Sequence, residues 1–125
     1  MKTAIAIPGA SKPVAPYSQA IVDQGWVFVS GQGAVDPITN LYQAGDIRTE
    51  TERTLENVKA ILQASGSSME KVTKVNVYLR DIRDFSGMNE IYARFFAAPY
   101  PARTTIQAGA LPNGIAVEID CIARQ

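Results

Sequence analysis

The chain has 125 residues, of which 46% are hydrophobic and 19% charged, and its 12 basic and 12 acidic side chains give no net charge. This composition predicts one soluble globular domain, residues 1–125, without a general electrostatic attraction to nucleic acid or anionic membranes. The absence of histidine and the single cysteine, Cys121, exclude Ser-His-Asp and Cys-His catalysis, imidazole-ligated metals and an intramolecular disulfide.

The N-terminal third predicts three short strands. A strand candidate over Thr3–Ile7 is followed by a loop, residues 8–16, that holds three prolines. The alternating run Ser18–Val22 and the strand-forming run Trp26–Ser30 flank a turn at Asp23–Gly25. This is the pattern of a β-hairpin.

Two glycines, Gly31 and Gly33, follow the third strand and flank Gln32. Glycines so close to a strand end predict a bulge or a close approach of the backbone to another group. Ala34 and Val35 are candidates to continue the strand.

The N-terminal apolar run is short, because Pro8 stops it after Ile7. A signal peptide needs ~7–15 apolar residues and a membrane span needs ~18, and the sequence offers neither. The expected location is therefore the cytoplasm.

Two amphipathic helices are predicted. The first runs from about Ile47 to Ser65, with Asp46 as its N-cap and Gly66 as the C′ residue. Its apolar face consists of Thr51, Leu55, Val58 and Leu62.

The second helix runs from Phe85 to about Phe96, with Asp84 as a cap. Its apolar stripe follows helical spacing and consists of Met88, Ile91, Tyr92 and Phe95. A strand over Val72–Leu79 precedes it, and two strands follow, near Ala102–Ala108 and Ile115–Ala123. The order βββαβαββ predicts an α+β fold with a six-stranded sheet and both helices on one face, so solvent or another subunit must cover the second face.

The two closing strands carry charges at alternate positions. Arg103 and Thr105 share one face of the first strand, and Glu118 and Asp120 share one face of the second. If the two strands form a hairpin, Arg103 lies beside Asp120 and Thr105 beside Glu118. These residues then form either the polar centre of a pocket or ordinary charge pairs on a solvated sheet. Cys121, on the opposite face, is expected to be a buried small hydrophobe.

Six segments, in order and covering nearly the whole chain, resemble one known family. They are APYSQA (Ala15–Ala20), VFVSGQ (Val27–Gln32), TLENVKAIL (Thr54–Leu62), DFSGMNEIYARFF (Asp84–Phe96), PARTTIQ (Pro101–Gln107) and VEIDCIA (Val117–Ala123). The family is RidA, also called YjgF and often labelled L-PSP endoribonucleases.

The resemblance implies a chorismate-mutase-like domain that assembles as a homotrimer, with sheets inside, helices outside and active sites between subunits. It also implies hydrolysis of small-molecule enamines and imines, such as 2-aminoacrylate, 2-iminobutanoate and 2-iminopropanoate, to 2-oxo acids and ammonia. No metal or organic cofactor is expected to take part, and nucleic acid is an unlikely partner.

By the same resemblance, Arg103 holds the substrate carboxylate and Glu118 positions water. Tyr17 and Ser30 complete the catalytic set.

Asn89 and Gly31 are expected to bind the substrate. So is Thr105, which stands where the best-known deaminases have cysteine and which puts the substrate preference in doubt. Three alternatives remain open: a ligand-sensing trimer without turnover, RNA cleavage or translation inhibition, and a pathway-specific deaminase of a larger aminoacrylate or aminomuconate.

Overall fold

The computed structural model describes residues 1–10 and 12–125, so Ser11, in the predicted proline-rich loop, lies outside the described residues. Six strands form one mixed sheet in the order β1-β2-β3-β6-β4-β5. Together with two α-helices they confirm the predicted α+β class. The strands are β1 (Thr3–Ile5), β2 (Ala20–Asp23), β3 (Trp26–Gln32), β4 (Val72–Leu79), β5 (Ala102–Gln107) and β6 (Val117–Arg124); the helices are α1 (Ile47–Ala64) and α2 (Phe85–Phe95).

The hairpin of β2 and β3 is confirmed, with Gly25 at φ 80° in its turn. The predicted irregularity at the glycines is also confirmed, because the pairing of β3 with β6 shifts register between Val29 and Gln32. The continuation of β3 through Val35 is wrong, since Val35 makes only an isolated bridge to Tyr42. The reason is a buried side chain on α1: Asn57 Nδ2 donates to the carbonyls of Gly33 and Val35 and draws this backbone away from the sheet.

Helix α1 begins and ends as the sequence indicates. The Asp46 side chain accepts a hydrogen bond of 2.8 Å from the Thr49 amide, and Gly66 adopts φ 77° after the last turn. Its buried stripe includes Thr51, Leu55, Val58, Ile61 and Leu62.

Helix α2 buries Met88, Ile91 and Tyr92 as predicted, and Phe95 is partly buried. Asp84 is the N-cap residue as predicted, but its side chain makes no capping hydrogen bond within the described chain. A 3-10 turn over Ile82–Asp84 precedes the helix instead, and Asp81 caps that turn by accepting from the Arg83 amide.

The core lies between the helices and one face of the sheet. Alternate residues of the central strands point into it, and those that are fully buried include Val75, Val77 and Leu79 of β4 and Val117 and Ile119 of β6. Helix α1 packs on β3 and β6. Of the described helices, none is both long enough and apolar enough to cross a membrane.

The register predicted for the closing strands is wrong. Strand β5 does not pair with β6; it pairs in parallel with β4, and β6 lies between β3 and β4. Arg103 is opposite Val75, which faces the helices, whereas Glu118 is opposite Tyr78 on the other face. The predicted alternation of faces within each strand was correct. Whether side chains of β5 and β6 share a face depends on how each strand pairs with β4, which lies between them. Arg103 and Glu118 therefore lie on opposite faces of one sheet.

Candidate functional site

Arg103 lies between the edge strand β5 and helix α2. Its guanidinium carbon is 4.6 Å from the ring centroid of Tyr92 and 5.6 Å from that of Phe85. The side-chain ion pairs in the described chain join Arg48 to Glu90 and Arg83 to Asp81, so none of its carboxylates neutralises Arg103. Aromatic faces stabilise the cation but leave its N–H donors free for an anion.

A cavity of about 270 Å³ opens beside this guanidinium. Its walls are mainly apolar, and it is lined by Asn89, Tyr92, Ala93, Tyr100, Pro101 and Arg103. The Asn89 Oδ1 atom is buried and has no hydrogen-bond partner among the described residues. A buried acceptor without a donor is costly, so a ligand or water donor is expected there.

Thr105 follows Arg103 by two residues and lies on the same face of β5, opposite Val77. Its Oγ1 atom is also buried without a hydrogen-bond partner in the described chain. The helix-facing side of β5 thus carries a cation without a carboxylate partner, and the Thr105 and Asn89 atoms near it lack hydrogen-bond partners in the described chain. Sequence analysis missed the aromatic rings around Arg103, although Phe85 and Tyr92 stand seven residues apart on one side of α2.

The sheet face that the helices leave uncovered is called the free face here. Glu118 lies on it, against the bulged backbone of β3. A Cβ atom placed on Gly31 would come within 2.5 Å of Glu118 Oε2, so the missing side chain is what makes room for the carboxylate. Burial raises the pKa of Glu118, and the neighbouring charge of Asp120 adds to that rise.

A polar network continues from Glu118 along this face. Asn76 Nδ2 donates to Asp120 Oδ1 over 2.9 Å, and Tyr78 hydrogen bonds to Asp120 as well. Burial raises the pKa of Tyr78, and Asp120 adds to the rise. Sequence analysis missed Asn76 and Tyr78. The sequence signal for them is that they alternate along β4 with buried apolar residues, so they share the face opposite the core.

Tyr17 is 48% exposed in the loop before β2. Ser30 fixes that loop against β3, because its hydroxyl donates to the Ser18 carbonyl over 2.6 Å and its amide donates to the Gln19 carbonyl over 2.9 Å. The Ser30 hydroxyl is thus engaged with the backbone next to Tyr17.

The site residues suggested by the sequence therefore fall into two groups within one chain. Arg103, Asn89 and Thr105 lie between the sheet and α2, whereas Glu118 and Gly31 meet on the free face. A single chain does not bring the two groups together.

Other reactive groups offer little chemistry. Cys121 is buried as predicted, and burial raises the pKa of its thiol to about 12, which disfavours the nucleophilic thiolate. In the described part of the chain, no three His, Cys, Asp or Glu side chains lie close enough together to hold a metal ion.

Comparison with known proteins identifies the family. A family model described as Endoribonuclease L-PSP matches residues 8–125. The chain belongs to the RidA family. A RutC family protein of Pyrococcus horikoshii is 46% identical over 98% of both chains. A 2-iminobutanoate/2-iminopropanoate deaminase of Dermatophagoides farinae is 40% identical over 97% of this chain and 94% of its own.

The fold is that of solved RidA structures as well. The crystal structure of RidA from the Antarctic bacterium Psychrobacter superposes with a TM-score of 0.94 at 39% identity, covering 98% of this chain and 99% of the other. Membership in the RidA family and the similarity to named deaminases support a general role in deaminating reactive intermediates.

Proposed function

We propose that the protein hydrolyses reactive imino and enamino acids, of the 2-iminobutanoate, 2-iminopropanoate and 2-aminoacrylate type, to 2-oxo acids and ammonia. The observation that carries the proposal is the Arg103 guanidinium, which borders a cavity and has no carboxylate partner in the described chain. A guanidinium binds a carboxylate through two parallel N–H donors, which suits an α-imino acid. The name of the relative from Dermatophagoides farinae supports the same substrate class.

The active site is composite and forms between protomers of a homotrimer. Support comes from the separation of Arg103 and Glu118 on opposite faces, which leaves each chain with two incomplete halves. The free face is also apolar at exposed positions, since Phe28 is 44% and Ile106 is 47% exposed. Covering these side chains with a second copy removes apolar surface from water. One protomer supplies Arg103, Asn89 and Thr105, and its neighbour supplies Glu118, Gly31, Ser30 and Tyr17.

The reaction needs no resident cofactor, because the imine carbon is already electrophilic. Arg103 anchors the substrate carboxylate and so fixes the position of that carbon. Glu118 orients a water molecule and accepts its proton as the water oxygen bonds to the carbon. The proton passes from Glu118 to the imine nitrogen and gives a carbinolamine. The carbinolamine hydroxyl then gives up its proton through Glu118 to the same nitrogen as the C=O bond forms and the C–N bond breaks, so the products are a 2-oxo acid and ammonia. An enamino acid such as 2-aminoacrylate enters this path after a proton moves from its nitrogen to its terminal carbon, which gives the imine.

The remaining residues bind and orient the substrate. Asn89 Oδ1 accepts a hydrogen bond from the substrate or from an ordered water, which would satisfy its buried acceptor. The Thr105 hydroxyl is available as a further donor on the Arg103 side. Tyr17 closes the pocket from the neighbouring chain, and Ser30 fixes the loop that carries it.

The test follows 2-oxo acid release when the protein is added to a pyridoxal-phosphate-dependent threonine or serine dehydratase reaction. The native protein accelerates release, and Arg103→Ala loses about 2–4 kcal/mol of transition-state binding, which is roughly 30- to 1,000-fold in kcat/KM. Arg83→Ala is the matched control, since it removes an exposed guanidinium that pairs with Asp81. Full acceleration by Arg103→Ala would refute the carboxylate anchor.

A ligand-sensing trimer without turnover is the second candidate, because Thr105 stands where the deaminases that the chain resembles have cysteine. Binding of 2-oxobutanoate that depends on Arg103, without any acceleration of 2-oxo acid release, would favour it. The family description names endoribonuclease. With no net charge and no histidine, nothing in the site favours RNA cleavage.

A further inference from the structure

Strand β6 places two carboxylates on the free face of the sheet, and the function proposed above uses only one of them. Glu118 and Asp120 are alternate residues of β6, so both side chains leave the same face with Cα atoms about 7 Å apart. Each is opposite a polar residue of β4, Tyr78 for Glu118 and Asn76 for Asp120.

The two carboxylates have different surroundings. Asp120 accepts a hydrogen bond from the Asn76 amide over 2.9 Å, and it also interacts with the Tyr78 hydroxyl. For Glu118, none of the described residues donates a side-chain hydrogen bond, and its Oε2 atom lies against the bare Cα of Gly31. Donors that contact a carboxylate stabilise its charged form, and burial without donors stabilises the protonated form.

We propose that Asp120, two residues along β6 on the same face and held by Asn76, makes Glu118 hold a proton more readily than burial alone would. Two nearby carboxylates do not both ionise freely, and the proton goes to the one with fewer donors. Asp120 is therefore a positioning residue for the proton, and Glu118 is the group that gives and accepts it. The proposal rests on the proposed function for its purpose, because a carboxylate that holds a proton more readily is a stronger base towards the attacking water.

The other groups around Glu118 do not account for the same effect. On β4, Lys74 donates to Thr104 Oγ1 over 3.0 Å, and Arg80, just beyond the strand, donates to the Gly114 carbonyl over 2.7 Å. The adjoining part of β3 contributes Phe28, Ser30 and Gly31, which do not titrate. Within one chain, Asp120 is therefore the charged side chain that adds to the effect of burial on Glu118. In the assembly proposed above, Arg103 of the neighbouring protomer also faces Glu118 and acts in the opposite direction, but it is the same in every variant compared below.

The test follows the Glu118 carboxyl carbon by ¹³C NMR as a function of pH in the native assembly, with the signal assigned through Glu118→Gln. In Asp120→Asn the titration midpoint of Glu118 moves to lower pH, because the like charge is gone while an oxygen that accepts from Asn76 remains. Asp120→Glu keeps the charge and leaves the midpoint close to native. Asp23→Asn, the same substitution on β2, leaves it unchanged.

The proposal is overturned if Asp120→Asn does not move the Glu118 midpoint, or if Asp120→Glu moves it as far as Asp120→Asn does. Should Asp120→Asn fail to fold, Asp120→Ser is measured with the same expectation. The NMR titration needs no turnover. A lack of deamination would therefore refute the proposed function but leave the result of the titration unaffected. Where deamination is measured, the acid limb of kcat/KM moves with the NMR midpoint.

Discussion

Glu118 holds its place because residue 31 has no side chain. The carboxylate occupies the space where a Cβ of residue 31 would lie, 2.5 Å from Oε2 and 2.8 Å from Cδ. The close approach suggested by the glycine pair in the sequence is thus real, and the group that approaches is the proposed water-positioning carboxylate.

Gly31→Ala is therefore expected to displace Glu118 while leaving the fold intact, since the displaced atoms end a flexible side chain. A carboxylate misplaced by about 1 Å costs on the order of 100-fold in turnover. The measurement is kcat/KM for imine hydrolysis together with the urea unfolding midpoint. Gly109→Ala is the control, because a Cβ there meets nothing within 4 Å. Equal activity in both variants would contradict the role of Gly31.

The sequence showed which residues of one strand share a face. It did not show which residues of different strands lie close together. Alternation correctly placed Arg103 with Thr105 and Glu118 with Asp120, because side chains on a strand always alternate. Which of these pairs lies under the helices depends on the neighbouring strand, and that information is tertiary. The unsatisfied Asn89 and Thr105 atoms were equally invisible, because satisfaction depends on groups distant in the chain.

Among the elements, helix α1 carries a buried carboxylate that joins separate parts of the fold. Its buried Glu50, 1% exposed, accepts from the Ala116 amide over 3.0 Å, the Gly45 amide over 3.3 Å and the Tyr42 hydroxyl over 2.5 Å. The sequence suggested Glu50 only as an acidic residue near a helix N-terminus. One carboxylate instead joins the helix, the preceding loop and the segment that leads into β6.

Glu50→Ala is expected to lower the free energy of unfolding by about 3 kcal/mol, because it leaves two backbone amides without their acceptor. Urea denaturation at neutral pH measures the change. Glu52→Ala, two residues away on the exposed side of α1, is expected to cost less than about 1 kcal/mol. A similar cost for the two variants would show that the network contributes nothing beyond helix charge.

Tyr42 gives this network a pH dependence. Burial and the hydrogen bond to Glu50 raise the pKa of Tyr42 from 10.0 to about 12. A pKa raised by folding contributes stability that is complete below pH 10 and is lost as the pH rises towards 12. The stability advantage of the native chain over Tyr42→Phe should therefore shrink across this interval in urea unfolding experiments. An advantage that stays constant through pH 12 would count against the Tyr42–Glu50 bond.

The order of elements was readable from the sequence, because periodicity and caps are local. The sheet order was not, since β6 enters between β3 and β4 although it follows both in the chain. A hairpin of β5 and β6 is the shortest connection, but the parallel pair β4 and β5 is joined through α2. Consecutive strands pair often, as β1 with β2, β2 with β3 and β4 with β5 do here, but β5 and β6 do not pair.

For the whole molecule, the separation of Arg103 from Glu118 makes a quantitative prediction. Arg103→Ala and Glu118→Gln are each expected to be nearly inactive, with at most a few per cent of the native activity. If the two are unfolded together in equal amounts and refolded, about a quarter of the sites receive both intact groups from different chains. Specific activity should return to roughly that fraction of native, as measured by 2-oxo acid release.

Each variant refolded alone is the control and stays inactive. If the mixture also stays inactive although native mass spectrometry shows mixed trimers, the site does not cross between chains. Recovery would at the same time establish assembly and the pairing of the two half-sites, neither of which periodicity can reveal.

The placement of Arg103 and Glu118 on opposite sides of the sheet also bears on the life of a newly made chain. If the proposed site crosses between chains, a folded but solitary chain carries both groups and is expected to be inactive. Specific activity should then rise with protein concentration until association is complete, and a copy that lacks both groups should disable the two sites to which it contributes.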